Sequence, residues 1–241
     1  MTPRTVQHRL NKHGLTGRSL AKKPLLTKRH QKTRLDLAKK YQNWTQEDWR
    51  RVLWSDESKI NIHGSDGRRW TWRRRGQQLR QKHVTQTVKH DKCVMVWGCF
   101  SSAGVGEIFI IEDTLNSARY IRILSSFMLP SARQLIGKNF VFQQDNDPKH
   151  TAKNTKAWLK DKNIECLDWP AQSPDLNPIE NLWAELKKKI RAKNLKNISE
   201  LTSCLKECWS SISEEYCKKL VDSMPNRIDQ VINNKGLWTK Y

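Results

Sequence analysis

Three carboxylates stand where their neighbours reveal the local structure. They are Asp56 in Leu53-Trp54-Ser55-Asp56-Glu57-Ser58, Asp145 in Phe140-Val141-Phe142-Gln143-Gln144-Asp145, and Glu180 in Pro178-Ile179-Glu180-Asn181-Leu182-Trp183. The first two follow short apolar and β-branched runs that read as buried strands. The third falls in the first turn of a helix. If the two strands are neighbours, their Asp carboxylates lie side by side, repel, and each tends to take up a proton. A divalent cation removes that repulsion. Hard cations such as Mg2+ or Mn2+ prefer oxygen ligands. Two of them, about 4 Å apart, activate a water or hydroxyl and stabilise the leaving oxygen of an in-line displacement. Asp56, Asp145 and Glu180 are thus candidate catalytic residues and candidate ligands of two Mg2+ (or Mn2+) ions, and the chemistry is phosphodiester chemistry.

Each has a plainer alternative. A turn-forming Asp after a strand is common. Asn177, Pro178 and Glu180 also fit the N-cap, first and third positions of a capped helix, so Glu180 has a structural role available and the two readings balance. Glu57 points to the opposite face from Asp56 if the strand continues. Asp147 and Asp175 lie in loop signals where turn-making is a sufficient explanation. Asn146 and His150, close after Asp145, are candidates to orient a ligand or phosphate from behind the carboxylates; His150 can equally start the next helix.

The elements that must position these groups form a mixed pattern. Strands are expected at 51–55, 58–62, 69–73, 84–88, 93–100 and 106–111. The run Cys93-Val94-Met95-Val96-Trp97-Gly98-Cys99-Phe100 reads as a strand covered on both faces. A helix at 116–134, a strand at 140–144, a helix at 151–161 and a strand at 164–169 follow. A loop with three prolines leads to helices at 178–193, 198–211, 213–223 and 225–235, with Gly236 as the stop. The six cysteines form no CxxC pair and read as reduced core residues. Cys204 and Cys208, at helical spacing, could join a metal site with a third partner, but core packing is the simpler reading.

The charge points to a partner. The chain has 45 Lys+Arg against 24 Asp+Glu, a formal net charge of +21 over 241 residues. That excess implies a polyanion. Residues 1–51 hold 14 basic and 3 acidic side chains, about half of the excess. No apolar run approaches the roughly 18–20 residues of a membrane span, and no signal peptide opens the chain. Residues 2–15 read as an amphipathic helix capped by Thr2 and ended by Gly14, with Val6 and Leu10 on one face. Arg4, Gln7, His8, Arg9 and Lys12 occupy its other faces, which suits the major groove of double-stranded DNA, although a solvated helix would look the same. The basic stretch 16–34, with Arg18, Lys22 and Lys23, can track phosphates or serve as a nuclear address. In Arg68-Arg69-Trp70-Thr71-Trp72-Arg73-Arg74-Arg75, cations alternate with aromatics; Arg73, Arg74 and Arg75 are candidate DNA contacts. A partner subunit or a hairpin with a solvated face would account for the segment equally.

Taken together, four stretches resemble the transposases of the Tc1/mariner superfamily, in its Tc1-like branch. They are Trp54-Ser55-Asp56-Glu57-Ser58, Val94 to Phe100, Gln143 to Ala152 (QQDNDPKHTA) and Trp169 to Trp183 (WPAQSPDLNPIENLW). The closing Thr239-Lys240-Tyr241 and the 34 residues that separate Asp145 from Glu180 fit that branch as well. The resemblance implies an α/β catalytic domain of the ribonuclease H-like fold, a mixed sheet flanked by helices. Asp56 would lie on its first strand, Asp145 just after the fourth and Glu180 on a later helix. It implies metal-dependent cleavage at terminal inverted repeats and joining of the freed 3′ ends to TA target DNA, in the nucleus. It also implies a homodimer engaged through a clamp-like insertion at 60–92.

Relatives of full length begin with two helix-turn-helix subdomains, and this chain starts at what resembles the last helix of the second. The expected division is a remnant of that subdomain at 1–15, a basic linker and helix at 16–45 and the catalytic domain at 46–241. Lys89 to Cys93 also replaces the glycine-rich turn usual after Val-Lys-His. The alternative is a catalytically inactive or host-repurposed DNA-binding protein derived from a transposase; a structure-specific or RNA-cleaving nuclease on the same fold is a further one.

Overall fold

The computed structural model describes residues 2–16, 23–62, 92–193 and 195–241. Five strands form one sheet in the order β3-β2-β1-β4-β5. β1 (Val52–Asn61), β2 (Cys93–Ser101) and β3 (Gly104–Ile111) run antiparallel; β4 (Val141–Gln143) and β5 (Glu165–Cys166) continue parallel to β1. Alternate residues of β1 go to opposite faces, as the two-residue period of a strand requires. Val52 and Trp54 join one apolar layer and Leu53 the other.

Helices cover both faces. On one side lie α2 (Lys28–Lys40), α3 (Gln46–Arg50), α8 (Ile179–Arg191), α9 (Ile198–Ser210), α10 (Glu214–Asp222) and α11 (Met224–Asn233), built on Trp49, Trp54, Trp183 and Trp209. On the other lie α4 (Ser117–Ile123), α5 (Leu129–Leu135), the short α6 (Pro148–Thr151) and α7 (Lys153–Asp161), around Trp97, Tyr120, Leu124 and Phe142. The ribonuclease H-like mixed sheet expected from the sequence is present.

Several boundaries differ from the sequence reading. β1 is one ten-residue strand where two were expected, so Asp56 sits in mid-strand and not at a strand end. Pairing with β2 over Trp54 to Asn61 carries the backbone through Asp56-Glu57 without a turn. The helix expected at 116–134 contains a π turn at Leu124–Met128 ahead of Pro130. Proline has no N–H to continue the regular ladder, and a π turn is one way to absorb the fault. The strand at 164–169 shortens to two residues. The strands at 69–73 and 84–88 and nearly all of the clamp-like 60–92 segment lie outside the described residues.

Before the sheet, α1 (Pro3–Lys12) is capped by Thr2, whose hydroxyl accepts from the Thr5 amide at 3.3 Å. The chain then turns at Gly14 (φ 74°). None of its residues is buried.

Candidate active site

The two aspartates approach one another because their strands do. β1 and β4 pair in parallel over Val52–Trp54 and Val141–Gln143. β4 ends there, but side chains extend the junction. The Ser55 amide donates to Gln143 Oε1 (3.2 Å) and the Ser55 hydroxyl to the Gln143 carbonyl (2.8 Å), both buried. Asp56 follows directly on β1, and Asp145 lies two residues beyond β4.

Asp56 Oδ1 accepts the Glu57 amide at 2.7 Å, and Oδ2 faces Asn177 Nδ2 at 3.4 Å. Burial, then the charges of Glu180, Glu57 and Asp145, push its carboxyl up to about 8. Asp145 behaves oppositely. Burial alone would raise it, but the His150 hydrogen bond (Nδ1 to Oδ1, 2.6 Å) and the Asp147 amide (3.0 Å) hold it below the usual carboxylate range. His150 Nε2 also meets Glu57 Oε1 at 3.2 Å. With a carboxylate at each ring nitrogen, the imidazole is raised to about 9 although burial opposes it, so both nitrogens donate.

Glu180 comes from α8. The helix starts at Ile179, with Pro178 as the residue before it, one position later than the sequence suggested. Asn177 Oδ1 faces the Ile179 amide at 3.4 Å, and no side-chain bond joins Glu180 to the cap. The capping-box alternative for Glu180 is therefore absent. Ile179, Leu182, Trp183, Leu186 and Ile190 are buried as the spacing predicts, which leaves Glu180 exposed at the edge of the stripe. Burial of its carboxyl group still raises its proton affinity, with Lys187 opposing.

How deep α8 sits is set by a missing side chain. Gly98 of β2 pairs with Asp56, and a Cβ there would lie 2.7 Å from Trp183 Cη2. Trp183 stacks on Trp209, centroids 5.0 Å apart, over this gap. The loop before α8 is fixed from behind. Arg34 of α2 makes a two-pronged bond to Asp175, 2.8 Å in each arm, and donates to the Gly236 and Leu237 carbonyls at 3.0 and 3.2 Å. Thr239 N–H donates to Asp175 Oδ2 at 2.8 Å, and Arg227 donates to the Asp175 carbonyl (2.8 Å) and to Asn181 Oδ1 (2.7 Å). Turn-making thus understates Asp175, a buried ion-pair partner that pattern reading passed over along with Arg34.

All three carboxylates open on one cleft of about 350 Å³, walled by Asn146, Asp147, Asn177 and the loop from Trp169 to Pro174. Asn146 donates to the Trp169 carbonyl at 2.6 Å and so ties the Asp145 loop to that wall. Among the described residues, no three His, Cys, Asp or Glu side chains are already gathered around a point an ion would occupy. The donors nevertheless suit a hard cation. They are all oxygen, and the high proton affinity of Asp56 comes from its burial first and then from the neighbouring carboxylates, whose repulsion a cation would relieve. Cys204 and Cys208, with Sγ atoms 3.5 Å apart, are buried in the helical layer without a third ligand among the described residues, as core packing requires.

The proposed DNA contacts are distributed differently. Arg4, Gln7, His8, Arg9 and Lys12 are all exposed on α1. Lys23 Nζ donates to the Tyr241 carbonyl at 2.6 Å, which ties the linker to the last residues. Arg18, Lys22, Arg73, Arg74 and Arg75 lie outside the described residues.

A ribonuclease H-like sheet that offers two aspartates and a glutamate to one cleft defines a class, the polynucleotidyl transferases. Comparison with known proteins narrows it. Residues 51–202 match the DDE superfamily endonuclease family, and residues 1–43 match a helix-turn-helix family described as transposase. The Tc1 transposase of Caenorhabditis elegans is 42% identical over 239 residues, covering 99% of this chain and 88% of the relative. The Tcb2 transposase of Caenorhabditis briggsae has the same identity and coverage. Among solved structures, the mariner Mos1 paired-end complex with Mg superposes with a TM-score of 0.86 at 20% identity, covering 98% of this chain and 72% of that one. The chain belongs to the Tc1/mariner transposases of the DDE superfamily: it is a cut-and-paste DNA transposase with a helix-turn-helix DNA-binding segment.

Proposed function

We propose that Asp56, Asp145 and Glu180 hold divalent cations, two Mg2+ or Mn2+ ions, and that this cleft cuts DNA at the ends of the element and joins those ends to TA target DNA. Bound there, the ions would lower the pKa of an attacking water and stabilise the leaving oxygen. The chain's own residues do the rest. Asp56 gives up the proton that its crowded carboxyl otherwise retains, and the His150 bonds keep Asp145 ionised at neutral pH. Asn177 holds Asp56 from the α8 side. A water attacks the phosphorus at the element end and the strand's oxygen leaves; in the second step the freed 3′-hydroxyl attacks a target phosphate.

The observation that carries this reading is the convergence of β1, the loop after β4 and α8 on one cleft, where Asp56 is raised by burial first and then by the neighbouring carboxylates. Mos1 complexes with Mn and with Mg, which share the fold, support the choice of ion. The paired-end arrangement named for that protein supports a dimer here, engaged through the 60–92 segment. The exposed basic face of α1 supports binding of the element's inverted repeats, and the basic stretch 16–34 a nuclear address.

Nicking of supercoiled plasmid tests the centre without requiring end recognition. The protein should nick with Mg2+ or Mn2+ and not with EDTA, and Asp145→Asn should lose this activity while its circular dichroism is unchanged. Metal-dependent nicking that survives in Asp145→Asn would remove Asp145 from the centre.

A further inference from the structure

Glu57 is adjacent to Asp56 in sequence yet leaves the opposite face of β1, and the reaction as described above makes no use of it. Its Oε1 lies 3.2 Å from His150 Nε2 and 3.6 Å from Lys149 Nζ. The other ring nitrogen of His150 meets Asp145 Oδ1 at 2.6 Å. The imidazole is 3% exposed, and its ring packs on Tyr120 with centroids 4.1 Å apart. The Tyr120 hydroxyl in turn donates to Gln144 Oε1 at 2.8 Å. The ring is therefore held on its face as well as at both nitrogens.

Asp145 needs such support. It lies past the end of β4, half of its side chain is exposed, and no strand pairing fixes its backbone. Asp56 is set in the middle of a paired strand. A rigid planar ring joins the loop carboxylate to the residue next to the strand carboxylate. A link of this kind converts the fixed position of β1 into a fixed position for Asp145.

We propose that Glu57 is a positioning residue for Asp145, acting through His150, so that the two aspartates keep one separation before any ion binds. The proposal rests on the reading of Asp56, Asp145 and Glu180 as an ion site. Residues behind metal ligands are typically worth about 10- to 100-fold in metal affinity, and that range is expected here.

The test is Mn2+ titration of the DNA-free protein, read by electron paramagnetic resonance of free Mn2+, with thermal melts in parallel. Glu57→Ala and His150→Ala should each weaken Mn2+ binding about 10- to 100-fold. The double variant should be no weaker than His150→Ala alone, because both act along one path. Glu57→Gln, whose amide oxygen still accepts from Nε2–H, should recover most of the affinity. If Glu57→Ala does not fold, Glu57→Met, of similar length but unable to accept that proton, takes its place with the same expectations. Unchanged Mn2+ affinity in the folded variant, or losses that add in the double variant, would overturn the proposal. Failure of the unmutated protein to bind Mn2+ would instead sink the ion-site reading itself.

Discussion

The two aspartates and the glutamate reach the same cleft by different physical means. Asp56 and Asp145 are placed by directional bonds: strand pairing, the Ser55–Gln143 contacts and the ring of His150. Glu180 is placed by bulk. Its helix rests on Trp183 and Trp209 over Gly98, and the loop before it is anchored by the Arg34–Asp175 pair. Hydrogen bonds fix direction within tenths of an ångström, whereas packing fixes the height of a whole helix. The glutamate side is thus where a distant substitution can change the cleft, and the aspartate side is where a local one can.

The strongest way to break this contrast lies far from the carboxylates. Arg34→Ala would leave Asp175 buried without its partner, and unfolding free energy in urea should fall by about 3–5 kcal/mol. A loss under 1 kcal/mol would mean that the loop is held by packing alone. The same pair predicts a pH dependence. The bonds from Arg34 and Thr239 hold Asp175 below its ordinary value of 3.8 despite its burial. Its contribution should therefore be complete above that value and disappear as pH falls through the depressed one. The stability gap between the protein and Asp175→Asn should accordingly narrow in acid.

A middle-sized effect is expected at Gly98→Ala. The added methyl meets the far end of Trp183, and overpacking of this kind costs about 1–3 kcal/mol. Metal-dependent nicking should fall as Glu180 is lifted from Asp56, and Trp183→Phe, which clears the space, should restore part of it. Nicking at the original rate in folded Gly98→Ala would show that helix height does not govern the site. The smallest effect on stability is expected at Glu180→Gln, within about 0.5 kcal/mol, because no cap bond is lost. Nicking should nevertheless disappear, and a variant that nicks normally would take Glu180 out of the site.

The sequence made the carboxylates legible because each follows a strong local signal: an apolar run before Asp56 and Asp145, and an Asn-Pro start with a buried stripe before Glu180. The continuity of β1 was not legible. Asp56-Glu57-Ser58 is polar and resembles a turn, and pairing with β2 overrides that appearance. Arg34 and Asp175 could not be paired by any short-range rule, since 141 residues separate them. His150 showed its proximity to Asp145 in the sequence; its second partner, Glu57, lies 93 residues away and appears only once the sheet is assembled.

The contacts of Arg34 also set an order of events during synthesis. It lies in α2, yet it donates to a carbonyl 202 residues later, and the Asp175 carboxylate that receives it is completed by the Thr239 amide. A chain still emerging from the ribosome can pair its strands and stack its tryptophans, but the loop before α8 lacks the Gly236, Leu237 and Thr239 contacts of its Arg34–Asp175 pair until those residues are free. The anchor behind Glu180 is thus completed late, long after α1 has emerged.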